Sequence, residues 1–142
     1  MKGLSTAGRM LFALPMAVFG IQHFMFASNM AGIVPAYIPG GVFWVYATGL
    51  ALILAAAGII TKRMILAASI TIAAMMLVFI ATIHIPMMMS ADASASMMGR
   101  TSFLKDTVIL GGALFIAGAY GRRKISVNAG GVMREEREKL TV

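Results

Sequence analysis

The sequence predicts an all-α protein, a bundle of four transmembrane helices. Three observations predict it: a composition too apolar for water, a charge distribution that leaves long stretches empty, and four segments long enough to cross a bilayer. Of the 142 residues 60% are hydrophobic and only 12% charged, about half the charged share of a soluble domain, and the mean hydropathy is +0.89. A chain this short cannot fold so much apolar surface away from water. Between Met10 and Gly99 only Lys62, Arg63 and Asp92 carry a formal charge.

A spanning helix needs about 20 mainly apolar residues. Four segments meet that length, at about 8–28, 42–60, 64–85 and 102–121. The first follows Lys2 and Arg9 as a signal peptide would. Its apolar run from Met10 to Ala27 is longer than a signal core, however, and no A-x-A cleavage site follows; it is read as a retained helix. The second and third segments are separated only by Thr61-Lys62-Arg63 and form a tight hairpin.

The first connection, Asn29 to Gly41, contains Pro35, Pro39 and Gly40-Gly41, which stop a helix. Tyr37, Phe43, Trp44 and Tyr46 give it the aromatic character of a membrane interface. The third connection, Pro86 to Thr101, is rich in Met, Ser and Ala and is read as irregular or weakly helical. Residues 122–142 form a basic, mobile tail in which Met133–Leu140 can make a short helix.

Orientation follows from the basic residues. Lys2, Arg9, Lys62, Arg63, Arg122, Arg123 and Lys124 fall on one side, against Arg100 and Lys105 on the other. The excess marks the cytoplasmic side, giving an inner-membrane protein with both termini and the tail in the cytoplasm. The net charge of +7 is accounted for by these clusters, which orient helices and touch anionic headgroups. Membrane lipid is therefore the expected partner and nucleic acid is not.

Small residues mark the faces that meet. Asp106, Leu110, Ala113, Ala117 and Gly121 share one stripe of the last helix, and Thr48, Ala51, Ala55 and Gly58 one of the second. Such stripes let backbones approach where lipid provides no hydrophobic drive, so Asp106 is expected to point into the bundle.

Ionisable groups at membrane depth cost about 2.5–3.5 kcal/mol each on insertion scales and are functional candidates for that reason. His23, His84, Lys105 and Asp106 come from three helices, and the topology puts all four at a similar depth in the outer leaflet. Imidazole titrates near neutrality, and a carboxylate–lysine pair can steady it. The four are candidates for proton exchange or for binding a polar head between helices, with Gln22 as a further hydrogen-bonding group. Adjacent helical residues face apart, so only one of Gln22 and His23 is expected to look inward. The competing reading is structural: helix ends accommodate snorkelling side chains, and an acidic first turn suits the helix dipole.

There are no cysteines, which removes disulfides, thiolate metal sites and iron–sulfur ligation. No zinc-spaced histidine pair, phosphate loop or facing haem ligands occur, so no resident metal or cofactor is assigned to the chain itself. Met87-Met88-Met89 and Met97-Met98 follow His84, and thioether with imidazole suits Cu(I). Methionine also fills apolar space, and no Met-x-x-Met repeat appears, so copper handling stands as a minor alternative.

The run Phe19-Gly20-Ile21-Gln22-His23-Phe24, then Val34-Pro35-Ala36-Tyr37-Ile38-Pro39-Gly40, Phe43-Trp44-Val45-Tyr46 and Thr48-Gly49, resembles the DoxX family of membrane proteins. Thr82-Ile83-His84-Ile85-Pro86 and Phe103-Leu104-Lys105-Asp106 through Gly111-Gly112-Ala113-Leu114 continue the resemblance in order, over about residues 8–121. It implies a four-helix bundle and an association with membrane redox processes, including quinone-reducing oxidoreductase subunits. It carries no assigned catalytic residues.

Two functional expectations follow. In the first, the chain is a membrane subunit of a quinone-linked redox system. His84 or His23 bonds a bound quinone, Asp106 exchanges a proton, Trp44 and Tyr37 line the entrance, and a partner protein brings electrons. In the second, the chain is a non-catalytic anchor or assembly factor whose polar cluster locks the helices. Transport of a small solute lacks the helices broken near midplane that many transporters use.

Overall fold

The computed structural model describes the backbone of residues 2–140 and the side chains of residues 3–121. It is all helical among the described residues: α1 Lys2–Met25, α2 Ala27–Ala31, α3 Gly41–Ile60, α4 Ile65–Phe79, a π-helical turn Ile80–His84, α5 Ile85–Met88 and α6 Ala93–Leu140. Four stretches are long and apolar enough to cross a membrane, Gly3–Met25, Gly41–Ile60, Ile65–Met88 and Ala93–Gly121. The protein is a multi-pass membrane protein built as a four-helix bundle.

The helices pack in a ring. α1 lies along α3, α3 along α4 and α4 along α6. Side chains close the ring between α1 and α6, where Phe12 lies against Gly112 and Arg9 reaches Tyr120. Small and branched residues fill the centre: Ala13 and Met16 of α1, Leu52, Ala55 and Ile59 of α3, Ile72 and Met76 of α4, and Ala113 of α6. The outward faces carry exposed Leu11, Leu54, Val108 and Phe115, apolar surface of the kind a membrane-spanning bundle presents outward.

Glycines set the closest crossing. A Cβ on Gly20 would meet Ile53 Cγ1 at 2.6 Å and the Gly49 carbonyl oxygen at 2.8 Å; one on Gly49 would meet His23 Cβ at 2.8 Å and the Gly20 carbonyl oxygen at 2.9 Å. The α1 and α3 backbones are nearly in contact there. Gly40 enters α3 in the left-handed region, at φ 81°, which glycine adopts without a Cβ clash.

The second helix and the tight hairpin at Thr61–Met64 lie where the sequence puts them, with Lys62 at a φ of 64°. The other boundaries differ. α1 breaks at Phe26, and the chain resumes as the short α2 before the Pro/Gly turns. The third connection, expected to be irregular or weakly helical, is helical at both ends, and the last span starts at Ala93, not near 102.

The reason is a cap. Asp92 Oδ1 accepts the Ala95 N–H at 2.7 Å, one of the free backbone donors in the first turn of α6, and the Ser94 hydroxyl at 2.6 Å. Ala and Met then propagate the helix. These bonds, the Ser94 hydroxyl foremost, hold the Asp92 carboxyl below the usual aspartate range. Ser96 Oγ donates to the Met88 carbonyl at 2.9 Å and ties α6 to α5. The backbone of α6 runs on as helix to Leu140; the side chains of the expected basic tail, Met133–Leu140 included, lie outside the described residues.

Candidate functional site

The local sequence around His84 explains its placement. Pro86 has no N–H to give to the Thr82 carbonyl, and its ring crowds that turn. The helix widens instead: residues 80–84 take π geometry, closed by the Ile85 N–H bonding to the Ile80 carbonyl. Thr82 Oγ1 donates to the Val78 carbonyl at 2.7 Å. A π turn inserts an extra residue and re-aims the side chains after it, here turning His84 towards α6.

His84 Nε2 lies 2.7 Å from Asp106 Oδ2, linking the third span to the fourth. A carboxylate can only accept, so Nε2 carries the proton. Asp106 is 3% exposed, placed inward by the stripe it shares with buried Ala113 and Ala117. Its Oδ1 takes Lys105 Nζ at 3.4 Å. That ammonium also lies 5.0 Å from the centre of the Phe19 ring, a cation–π distance that brings α1 into the cluster. Lys105 is half exposed, so its pairing with Asp106 is the weaker of the two. Both oxygens of Asp106 are engaged, and His84 Nδ1 is buried without a partner.

These groups border a cavity of about 940 Å³. It is large enough for a drug-sized ligand. Gln22 and His23 both line it, against the expectation that only one would face inward. His23 Nδ1 lies 2.7 Å from the Phe19 carbonyl oxygen, so Nδ1 donates and Nε2 remains available. Thr48, Thr82 and Ser102 add hydroxyls, and the rest of the wall is chiefly apolar, with Leu52, Met75, Met76, Phe79 and Ile109 along it. Met30, Ile33, Val34, Pro35 and Ile38 of the first connection line it together with Trp44, whose indole N–H donates to the Pro39 carbonyl at 3.0 Å.

Tyr37 is corrected. It is 73% exposed and is not among the lining residues, because the turn carries its side chain outward while Ile38 and Val34 face the cavity. The structure thus brings His23, Gln22, His84, Lys105, Asp106 and Trp44 to one cavity and leaves Tyr37 outside it. No group of three His, Asp or Glu side chains suited to a metal ion occurs among the described residues.

Residues 12–109 match the model of a family described as a domain of unknown function (DUF8561). The chain belongs to this family. The matched stretch of the DUF8561 domain starts within α1, ends three residues beyond Asp106, and includes every residue gathered at the cavity. No curated protein matches the chain, and no solved structure matches it.

Two buried polar residues stand apart from the polar groups gathered at the cavity. Ser69 lies in the core of the DUF8561 domain, and Arg9, counted only towards orientation, is 8% exposed. The detectable cue for Arg9 was its spacing to Ala13 and Met16, which puts it on the buried stripe of α1.

Proposed function

We propose that this protein is a DoxX-like membrane subunit of a quinone-linked redox system, with the headgroup site in the outer leaflet at His84 and Asp106. The observation that carries the reading is the carboxylate–imidazole pair at the edge of a large, chiefly apolar cavity. The outer-leaflet location rests on the seven-to-two basic asymmetry, and the redox association on the DoxX resemblance. The site fits such a group chemically: a planar head with two oxygens matches the hydrogen-bonding groups, and an apolar tail matches Leu52, Met75 and Ile109.

A quinone bound there would be the two-electron, two-proton acceptor, its electrons coming from a partner protein. The chain's own residues hold and move the protons. Asp106 fixes the proton on His84 Nε2 and steadies positive charge on the ring. His84 Nδ1, free of other partners, is the position at which a proton is exchanged after a small side-chain turn. His23 Nε2 and the Gln22 amide hold the second oxygen, Lys105 balances Asp106, and Trp44 braces the mouth.

The second reading, an anchor or assembly factor, draws on a specific observation too. His84–Asp106 joins the third span to the fourth and Lys105–Phe19 joins the fourth to the first, so the cluster also fastens three helices.

The experiment is solvent extraction of the protein purified in mild detergent, with the extract examined by mass and redox difference spectra. Quinone at about one per chain in the wild type, lost in His84→Ala and Asp106→Asn at unchanged protein level, supports the first reading. Absence of quinone from the wild type, with both variants failing to accumulate, supports the second.

A further inference from the structure

Arg9 is the one buried cation among the described residues, and it lies at the end of the bundle opposite the His84 cluster. The antiparallel register that puts Gly20 against Gly49 and Ile53 brings Arg9 level with Ile60, one turn from Lys62 and Arg63. Its Nη1 donates to Tyr120 Oη at 3.4 Å, a long bond. One turn beyond Tyr120 the sequence reads Arg122-Arg123-Lys124. Several positive residues therefore belong to this end, and among those whose side chains are described, Arg9, Lys62 and Arg63, only Arg9 is enclosed by the protein.

A guanidinium keeps its charge under all ordinary conditions, and a buried charge without a counter-ion is expensive. Arg9 Nε is buried and unpartnered. Among the residues whose side chains are described, the carboxylates are Asp92 and Asp106. Asp106 is held by His84 and Lys105, Asp92 caps α6, and both sit at the far end. No intramolecular anion among the described residues balances Arg9.

We propose that Arg9, with the Tyr120 hydroxyl, forms a site for a phosphate group between the first and last helices, taken from the headgroup of an anionic phospholipid. Several observations point the same way. The planar guanidinium fork matches phosphate oxygens, which a tyrosine hydroxyl can also bond. Arg9 lies about 10 Å along α1 from Lys2, by the rise of a helix, near the depth at which phosphates meet the apolar core. The surrounding basic residues raise the local concentration of anionic lipid. The site is separate from the cavity and does not depend on what the cavity holds.

The test is thermal unfolding of the full-length protein in phospholipid-free detergent, titrated with phosphatidylglycerol, phosphatidylcholine or inorganic phosphate, with native mass spectra to count bound lipid. Phosphatidylglycerol is expected to raise the midpoint saturably and to be retained at one per chain, with no such response to phosphatidylcholine. Arg9→Gln should weaken that response about tenfold, the loss of one charge-assisted bond. Tyr120→Phe should weaken it less, and Lys62→Gln, on the exposed hairpin, should leave it unchanged.

A saturable response to inorganic phosphate that Arg9→Gln removes would assign the same site to free phosphate as well as to lipid. Should Arg9→Gln not fold, Arg9→Lys keeps the charge without the fork and should show the weakened response by itself. A phosphatidylglycerol response absent from the wild type, preserved in the Arg9 variants, or removed equally by Lys62→Gln, would overturn the proposal.

Discussion

Replacing Gly49 by alanine places a methyl group where the structure has no room. The added Cβ would stand 2.8 Å from His23 Cβ, 2.9 Å from the Gly20 carbonyl oxygen and 3.0 Å from Phe24 Cε2. Two of these neighbours are fixed by the α1 backbone, so rotamer changes cannot relieve them. Ordinary contact begins near 3.4 Å, and α1 must move from α3 by roughly half an ångström or more. Overpacking of this kind costs about 1–3 kcal/mol, and the same movement carries His23 away from the cavity. Gly20→Ala forces the same separation from the other side. The double variant should therefore cost clearly less than the sum of the two, since one displacement serves both. Gly111, where an added methyl would meet nothing within 4 Å, is the control, and alanine there should be neutral or up to about 1 kcal/mol stabilising by helix propensity. Reversible unfolding in mixed micelles measures all four. Additive costs for Gly20→Ala and Gly49→Ala, or a cost at Gly111 equal to that at Gly49, would refute the close crossing.

Two further outcomes follow from the ends of the helices. Asp92 caps α6 as a carboxylate and its pKa is lowered from 3.8. Its contribution is thus present above 3.8 and lost as the pH falls through the lower folded-state value. Hydrogen exchange at the Ala95 amide should accelerate on acidification in the wild type, and should already be fast and lose that dependence in Asp92→Ala; equal protection in both would remove the cap. A reporter fused after Val142 or inserted after Lys62 should read cytoplasm and one within 90–96 the exterior, and an outward C-terminus would move the proposed quinone site to the inner leaflet.

The periodic and compositional features of this chain were legible without a structure because lipid constrains them one residue at a time. Every backbone group in the apolar core must be satisfied within its own helix, so a run of about 20 apolar residues fixes a span, and Thr61-Lys62-Arg63 is too short to be anything except a hairpin. The inward face of Asp106 followed from the same one-dimensional logic, through its spacing to Ala113 and Ala117. The convergence of His84 with Asp106 was legible only as a common depth. Contact between them depended on the π turn that Pro86 imposes, which rotates the side chain about the helix axis by an amount no 3.6-residue periodicity contains.

The cap that starts α6 at Ala93 lay in a Ser-Ala-Met segment with no hydrophobic period to reveal it. Tyr37 shared its aromatic character with Trp44, and only the path of the turn separated an inward ring from an outward one. Arg9 looked like any flanking cation, because sequence registers charge and not enclosure. Composition and spacing thus determined how many helices form and which faces are small. The tertiary structure alone decided which polar groups meet, since that depends on rotation and crossing distance, quantities set by three helices packing against one another.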